Sequence, residues 1–588
     1  MEPEEDIPFV KRPKSERGWM RIAKKRLPIL DWGPRYDRIT AVADLVAGIT
    51  LGLTLVPQSI AYASLANLPV QYGLYSSFVG TMLYVFLGTV KEVSIGPTSL
   101  MALFTLQVCR GLPVEFVVLL TFLSGCIVLI MGLLRLGFLV ELISPSVTSG
   151  FTSATAVIIV VAQLKGLLGL SFTAESVSDN IRNIINKWDN LRYADCALGA
   201  VCCTVLLLLR QLKDVKVNPK RTKLKRALWL LSIGRNALVV LAASTLSYCI
   251  HNPEKPLFKL SGRVEPGLPA LSAPPFSVAL DNSTVQFVDM VQQLGSAIVM
   301  LPIVMVLANI AIAKAFCTGG RVDATQEMVT LGLCNMAGSL VHAMPTCGAF
   351  TRSAVSHSSG VRTPAAGAYS GIITLLALIF LTQYFYYIPK ACLSSVLICA
   401  VIFMIDYRTV VRLWRRDRQE LAVLVLTFCV SVARTVELAV LCGALASLAV
   451  LLRRLMRPRL QINHVKSSAG EVVRVRAALG VTYVNCALVE ARALAAARRA
   501  APRPALLDCG QLAMLDYAGQ QALERLIKQL KDSDQKLIIY NVPLDLLKKF
   551  EQVSGLDARP LRATNINSAL ALADAPSEER AALLAEQV

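Results

Sequence analysis

The sequence predicts an α-helical polytopic membrane protein, fourteen spans arranged as two inverted sets of seven, followed by a small cytoplasmic α/β domain. Three observations carry this. Hydrophobic residues make up 54% of the chain and charged residues only 17%, with a mean hydropathy of +0.55; a water-soluble chain of 588 residues carries more charge. The apolar residues fall into fourteen separate runs. Beyond residue 460 those runs give way to short strand-like and helix-like segments in alternation.

Residues 1–40 are charged and proline-containing, without an apolar run, so no cleaved signal peptide is expected and the segment reads as a cytoplasmic N-terminal arm. The runs follow at 42–62, 72–89, 97–109, 114–134, 146–166, 194–210, 234–250, 289–314, 323–341, 350–359, 364–383, 388–405, 419–433 and 436–452, within a membrane domain at 41–455. A crossing helix needs about 17–25 residues; most runs reach this, but 97–109 and 350–359 do not. Basic clusters occur at 11–38 (with Lys11, Arg12, Lys24, Lys25 and Arg26), 210–226 (with Lys216, Lys220, Arg221 and Lys223), 408–418 (Arg408, Arg412, Arg415, Arg416, Arg418) and 453–459 (Arg453, Arg454, Arg457, Arg459). All four land on one side of the count if the chain starts inside, as the positive-inside pattern requires. The one N-x-[ST] sequon, Asn282-Ser283-Thr284, falls in the 251–288 loop on the opposite side, where Asn282 would be open to glycosylation. Both termini are thus expected in the cytoplasm.

The two short runs hold the same place, third in each set of seven. Each follows a Gly- or Pro-bearing stretch, Glu92-Val93-Ser94-Ile95-Gly96-Pro97 and Met344-Pro345-Thr346-Cys347-Gly348. The first spans of the two sets also echo each other, in Gln58-Ser59-Ile60-Ala61-Tyr62-Ala63 and Asn309-Ile310-Ala311-Ile312-Ala313-Lys314-Ala315. An odd number of spans per set inverts the repeat, and paired broken spans in inverted repeats point to a transporter's binding site. Half-helices that begin near the bilayer centre present free N–H groups, here near Gly96-Pro97 and Phe350 to Ser353, and about +0.5 charge each.

Arg352 lies in the opening turn of the second. Placing a guanidinium at this depth costs ~2.5–3.5 kcal/mol on insertion scales, so its retention argues for an anion site. The competing readings are an arginine that snorkels to an interface or pairs with a buried carboxylate. Arg352 and the two helix ends sum to about +2, which suits a divalent oxyanion without excluding monovalent ones. Its planar fork suits two oxygens at once. Thr98 and Thr351 occupy the opening turns, where a hydroxyl bonds an anion or caps the helix. Gln58 and Tyr62, four apart, share a face that lines the pocket, or Gln58 bonds a neighbouring helix instead.

Other classes fare poorly. The net charge of +20 is distributed in loop clusters between apolar runs, so nucleic acid is not an expected partner. The 15 cysteines are scattered, mostly in apolar runs, and the four histidines are far apart; neither a disulfide framework, a metal centre nor a cofactor is expected. No nucleophile-base pair or phosphate loop suggests an enzyme. The α/β domain, at 460–575, has expected strands at Val472–Arg476, Ala505–Asp508 and Lys536–Tyr540 and helices at Val484–Arg499, Gln520–Lys531 and Pro543–Val553. An acidic, Ala-rich stretch at 576–588 reads as a mobile tail.

Val56-Pro57-Gln58-Ser59-Ile60-Ala61-Tyr62-Ala63 and Tyr72-Gly73-Leu74-Tyr75-Ser76-Ser77-Phe78 resemble the signature of the sulfate permease family, which includes prestin, pendrin and plant sulfate transporters. Ser94-Ile95-Gly96-Pro97, Gln163-Leu164-Lys165-Gly166-Leu167-Leu168-Gly169, Ile310-Ala311-Ile312-Ala313-Lys314-Ala315-Phe316 and Phe350-Thr351-Arg352-Ser353-Ala354-Val355 extend the likeness through nearly the whole membrane part. The tail resembles the family's STAS domain, of the anti-sigma-factor-antagonist type. The resemblance implies a seven-plus-seven inverted fold, a homodimer, and an anion site on which Gln58, Tyr62, Thr98, Thr351 and Arg352 fall. It implies sulfate, chloride, bicarbonate or oxalate as substrate, moved by alternating access, with cytoplasmic regulators reached through the STAS domain. The setting would be the cell membrane, or alternatively the lysosomal membrane.

Two departures matter. Proton-coupled members carry a glutamate where this chain has Ala308, so a carboxylate that could carry a proton or balance Arg352 is missing there, and Asp44 and Glu141 look too terminal to replace it. In the tail, Leu515-Asp516-Tyr517-Ala518-Gly519 lacks the phosphorylatable serine of bacterial relatives, and the Arg498-to-Pro504 link is short. A sulfate exchanger is the leading expectation; a chloride-conducting channel, a proton-sulfate symporter and a voltage-responsive membrane protein are the alternatives.

Overall fold

In a computed structural model, residues 23–574 are described except 138–143, 171, 173, 175, 213–227, 229, 230, 233, 251–256, 262–266, 281, 282, 318–321, 435, 459, 468, 469, 477, 478, 502, 503 and 534. Asn282, Glu141, Lys11, Arg12, the 213–226 cluster and 576–588 lie outside the described residues. Two compact units emerge, 1–447 and 448–588.

Helices of the first unit follow the apolar runs closely: α1 Arg38–Leu65, α2 Val70–Leu87, α3 Ser99–Val108, α4 Val114–Leu133, α5 Pro145–Leu167, then a short amphipathic α6 Val177–Asn186, α7 Tyr193–Gln211 and α8 Arg235–Cys249. The second set runs α9 Phe287–Leu294, α10 Ala297–Phe316, α11 Ala324–Ser339, α12 Phe350–Ser358, α13 Ala366–Phe380, α14 Lys390–Val401, α15 Tyr407–Arg416, α16 Arg418–Ala433 and α17 Val436–Met456. Setting aside the amphipathic α6, α9 and α15, fourteen segments remain, two of them the short α3 and α12. The expected run at 289–314 is split instead, because Gly295 turns the backbone to φ +52 between α9 and α10, a conformation glycine adopts without steric cost.

The two half-helix entries meet as a two-residue antiparallel ladder, with Ile95–Gly96 (β1) against Cys347–Gly348 (β4) and partners Ile95↔Gly348 and Gly96↔Cys347; between them in the chain, β2 (Ser277–Leu280) and β3 (Ser283–Gln286) form a separate antiparallel pair ahead of α9. Antiparallel strands at the heads of α3 and α12 are the direct expression of an inverted repeat. Non-helical backbone at membrane depth is tolerated where protein covers it, and residues 92–100 and 343–349 are buried throughout. Side chains satisfy the backbone there. Asn335 on α11 accepts from Thr346 N at 2.8 Å and donates to Thr346 O at 3.0 Å, and Ser76 on α2 accepts from Met344 N at 2.8 Å.

Glycines permit the tightest crossings. A Cβ on Gly125 of α4 would fall 2.8 Å from Met336 N and 3.0 Å from Gly332 O on α11, and one on Gly332 would fall 2.9 Å from Gly125 O. On α2, a Cβ at Gly73 would stand 2.2 Å from Ser59 O of α1. Gly73→Ala therefore forces α1 and α2 apart, with an expected loss of about 1–3 kcal/mol. A melting curve of the purified variant checks this, and an unchanged midpoint would count against the crossing.

The second unit contains a four-stranded sheet in the order β10-β8-β6-β5: Leu537–Tyr540, Ala505–Asp508, Gly470–Arg476 and Gln461–Ser467. β6, β8 and β10 are parallel and β5 is antiparallel to β6. A separate parallel pair joins β7 (Leu479–Val481) to β9 (Leu512–Leu515). Alternation sends Val473, Val475, Leu507 and Ile539 into a core shared with α18 (Cys486–Ala500) and α19 (Tyr517–Lys531). Val472, Leu506, Ile538 and Tyr540 point the other way, onto Ala569 and Leu570 of α21, Ile566–Asp574, which follows the short α20, Leu547–Glu551. Asp516 caps α19 by accepting from Gly519 N at 2.8 Å.

Asp508 accepts from Arg476 at 2.7 Å, Gly510 N at 3.0 Å and Asn541 Nδ2 at 3.1 Å. Burial pushes its carboxyl up, but the Gly510 N–H, the Arg476 guanidinium and the Asn541 amide outweigh it and hold it below its usual value. The folded value lies below the unfolded one, so this contribution is present above about pH 4 and lost as pH falls through the folded value. Acid titration of the second unit by circular dichroism should show stability falling below that point, with a flatter profile for Asp508→Asn.

Candidate functional site

The strand-to-helix turns of the two half-helices bring Gly96, Pro97, Thr98 and Arg352 together. α12 begins after Ala349, which offers no side-chain cap. The amides of Phe350, Thr351 and Arg352 therefore have no partner within the helix. Ser353 differs from expectation: its N–H already donates to Ala349 O at 2.9 Å and closes the first turn. α3 is capped by Thr98, whose Oγ1 accepts from Met101 N at 3.3 Å and lies 3.4 Å from Cys347 Sγ. The Ser99 and Leu100 amides are left as that helix's open donors. Pro97 has no N–H to offer; its carbonyl is an acceptor instead.

Arg352 is completely buried. Its Nη1 donates to Pro97 O at 2.6 Å and its Nη2 to Ser94 O at 3.4 Å. The fork expected to face an anion is thus occupied by the backbone leading into the other half-helix. Its complete burial excludes snorkelling, and among the described residues Arg352 pairs with no carboxylate. It ties α12 to the entry of α3 and sets a full positive charge between the two helix ends. Its Nε–H has no partner. Gly96 makes room for this, since a Cβ there would lie 3.2 Å from Arg352 Nη2.

Gln58 and Tyr62 are buried on α1, and the Tyr62 phenol is within electrostatic reach of Arg352 and Cys347. The Gln58 Oε1 has no partner. Neither do Ser94 Oγ, Ser353 Oγ or Asn309 Oδ1, all buried. Unsatisfied buried polar atoms are rare in proteins. Here several converge on the ladder and its flanks, together with donors suited to an oxyanion. Thr351 is half-buried, with Phe350 beside it exposed and its ring 5.1 Å from that of Phe316.

Sequence reasoning missed three of these residues and one acid. Ser94 and the Ser353 side chain sit in stretches whose sequence signal is their backbone, and Asn309 sits in the echo between the first spans of the two sets. Glu327 in the first turn of α11 is fully buried. It accepts from Tyr84 Oη at 2.9 Å, Thr89 N at 3.1 Å, Thr89 Oγ1 and Asn309 Nδ2 at 3.1 Å. Position 308 carries no carboxylate, yet its neighbour Asn309 reaches one, and a Cβ on Gly348 of β4 would lie 2.6 Å from Asn309 Oδ1. The signal was available: an acid inside an apolar span is a functional candidate by default. Glu92 is a second buried acid, with His357 Nδ1 at 3.5 Å and Lys91 Nζ at 3.8 Å. Asp44, also buried, accepts from Arg362 N at 2.8 Å and Thr363 N at 3.1 Å.

A cavity of about 500 Å³ is lined by Lys24, Lys25, Thr89, Lys91, Glu92 and Arg362 among others, but by neither Arg352 nor the half-helix starts. It opens beside Thr89 rather than at the half-helix starts. Among the described residues no three His, Cys, Asp or Glu side chains cluster as metal ligands.

The sequence profile of the sulfate permease family matches residues 42–427, and that of the STAS domain matches 465–566. The chain is 38% identical over 534 residues to a sodium-independent sulfate anion transporter of Bos taurus, covering 89% of this chain and 88% of that one. It is 34% identical over 429 residues to the chloroplastic sulfate transporter 4.1 of Arabidopsis thaliana, covering 71% of this chain and 59% of the other. In fold it is similar to a structure of SLC26A9, with a TM-score of 0.80 at 19% identity over 100% of this chain and 98% of that one. The inward-facing murine Slc26a9 anion transporter gives 0.76 at 21% identity over 93% of each.

Proposed function

The chain belongs to the sulfate permease family, and from that membership we propose that it is a sodium-independent secondary transporter of sulfate and related inorganic anions, chloride, bicarbonate and oxalate among them. The observation that carries the reading is the meeting of two half-helix N-termini across β1 and β4, with Arg352 bridging them. About +2 of charge converges there by helix-end bookkeeping, flanked by Gln58, Tyr62, Thr98, Thr351, Ser94 and Ser353. The anion lies between the α3 and α12 starts, with Gln58 and Tyr62 as its wall and the open amides of both helices as its donors. Alternating access moves the elements that carry this site against the remaining helices.

The transporter works as a homodimer in the cell membrane, both termini in the cytoplasm, with regulators reached through the STAS domain. Exchange is favoured over proton symport, since Ala308 leaves the eighth span without a carboxylate at the position where proton-coupled members carry one. The test is uptake of radiolabelled sulfate into proteoliposomes, with and without internal anion, at two external pH values. Exchange predicts saturable uptake that rises with internal anion and ignores an inward proton gradient. Uptake driven by the gradient would make the protein a symporter; large anion currents without counterflow would make it a channel.

A further inference from the structure

α15 joins two membrane helices, α14 and α16, and its sequence is Tyr-Arg-Thr-Val-Val-Arg-Leu-Trp-Arg-Arg. It carries four arginines and no acid, and none of its residues is buried. Tyr407, Val410, Val411 and Trp414 follow the i, i+3, i+4, i+7 spacing that places them on one face. All four are exposed, Tyr407 at 64% and Trp414 at 65%. Arg408, Arg412 and Arg415 share a neighbouring face, with Arg416 beside them. The flanking acids serve as helix caps: Asp406 accepts from Thr409 N at 3.1 Å and Asp417 from Gln419 N at 3.0 Å. The preceding turn continues the apolar stripe with Ile402 and Phe403, both exposed, and the Arg210 guanidinium stacks on Phe403.

A helix with an exposed aromatic-aliphatic stripe beside a row of guanidinium groups, held at the ends of two crossing helices, has the form of an interfacial helix. In that placement its stripe would meet the boundary of the acyl chains and its arginines would meet the lipid phosphates. We propose that α15 lies in the membrane interface and selects anionic phospholipid, so that Arg412, Arg415 and Arg416 form a headgroup site distinct from the transport site. Charge complementarity names the occupant, because phosphatidylserine supplies both the acyl surface and a net negative headgroup that phosphatidylcholine lacks. The proposal rests on the membrane reading of the first unit and not on the substrate, so a failure of sulfate uptake leaves it intact.

The test uses the full chain reconstituted in phosphatidylcholine vesicles doped with brominated phosphatidylserine or brominated phosphatidylcholine at equal mole fraction. The Trp414 signal is the fluorescence of the wild type minus that of Trp414→Phe, which removes the other tryptophans. Brominated phosphatidylserine should quench it at least about threefold more effectively, as expected for several arginines near an anionic surface. The preference should vanish in the triple variant Arg412→Gln, Arg415→Gln, Arg416→Gln, return with lysine at the same positions, and fade at high salt. Salt dependence in the wild type keeps the test decisive if the glutamine variant does not fold. Equal quenching by both lipids would overturn headgroup selection. No quenching by either would mean that protein covers the face, and would overturn the proposal outright.

Discussion

Arg352→Ala should reduce saturable sulfate uptake by two orders of magnitude or more while the protein still reaches the membrane. The guanidinium makes two hydrogen bonds, to Pro97 O and Ser94 O, and its Nε–H is open beside the half-helix starts. Removing it deletes a unit charge from a fully buried position and unties the two half-helices from each other. Hydrogen bonds to charged groups are worth about 1.5–3 kcal/mol each, and every 1.4 kcal/mol is a factor of about ten in affinity. Arg352→Lys keeps the charge but replaces a planar fork by a single point donor that cannot span both carbonyls. It should fall between the wild type and alanine. Uptake, surface abundance and a melting curve measured together separate loss of the site from loss of the fold. Wild-type uptake by a well-expressed alanine variant would remove Arg352 from the mechanism.

Glu327→Leu should be the most destabilising single change in the membrane unit, whereas Glu327→Gln should be mild. Leucine leaves the Tyr84 hydroxyl, the Thr89 amide and hydroxyl, and the Asn309 amide buried without their acceptor. Each such orphan costs about 1–3 kcal/mol, and the set is non-additive, so the loss should exceed that of a single orphan and fall short of the sum of four. Glutamine keeps one acceptor oxygen for Tyr84 and Thr89. Its new NH₂ meets the Asn309 amide, whose unpartnered Oδ1 turns to accept it. Monodisperse yield and melting midpoint read both variants. Two variants of equal stability would show that the four contacts do not act as described.

The membrane fold was largely legible because hydrocarbon demands long apolar runs and positive loops, and both are visible without packing. The starts of α3 and α12 follow from run length and from the glycines and prolines before them. What escaped was polar or local. α6 and α15 lie in amphipathic, charged sequence rather than in apolar runs, and the Gly295 break was invisible inside an otherwise continuous one. In the STAS domain, β6, β8 and β10 stood out as apolar strands, whereas β5, with Gln461, Asn463, His464 and Lys466, has an edge strand's polarity and resembles a loop. The site divided in the same way. Arg352 announced itself by the cost of its charge, but its partners are carbonyls, which no side-chain pattern reveals. Glu327 was legible as an acid inside an apolar run, but its partners converge from α2, α10 and the loop after α2 only in three dimensions. Ser94 and Ser353 become notable only when buried atoms are matched with partners.

Equilibrium binding of radiolabelled sulfate to the purified wild type and to Arg352→Ala, both shown folded by their melting curves, tests the central claim most directly. The expected result is saturable binding to the wild type, competed by oxalate and unaffected by sodium, and no measurable binding to the variant. Equal affinity in the two proteins would contradict it and move the anion away from the junction of the half-helices.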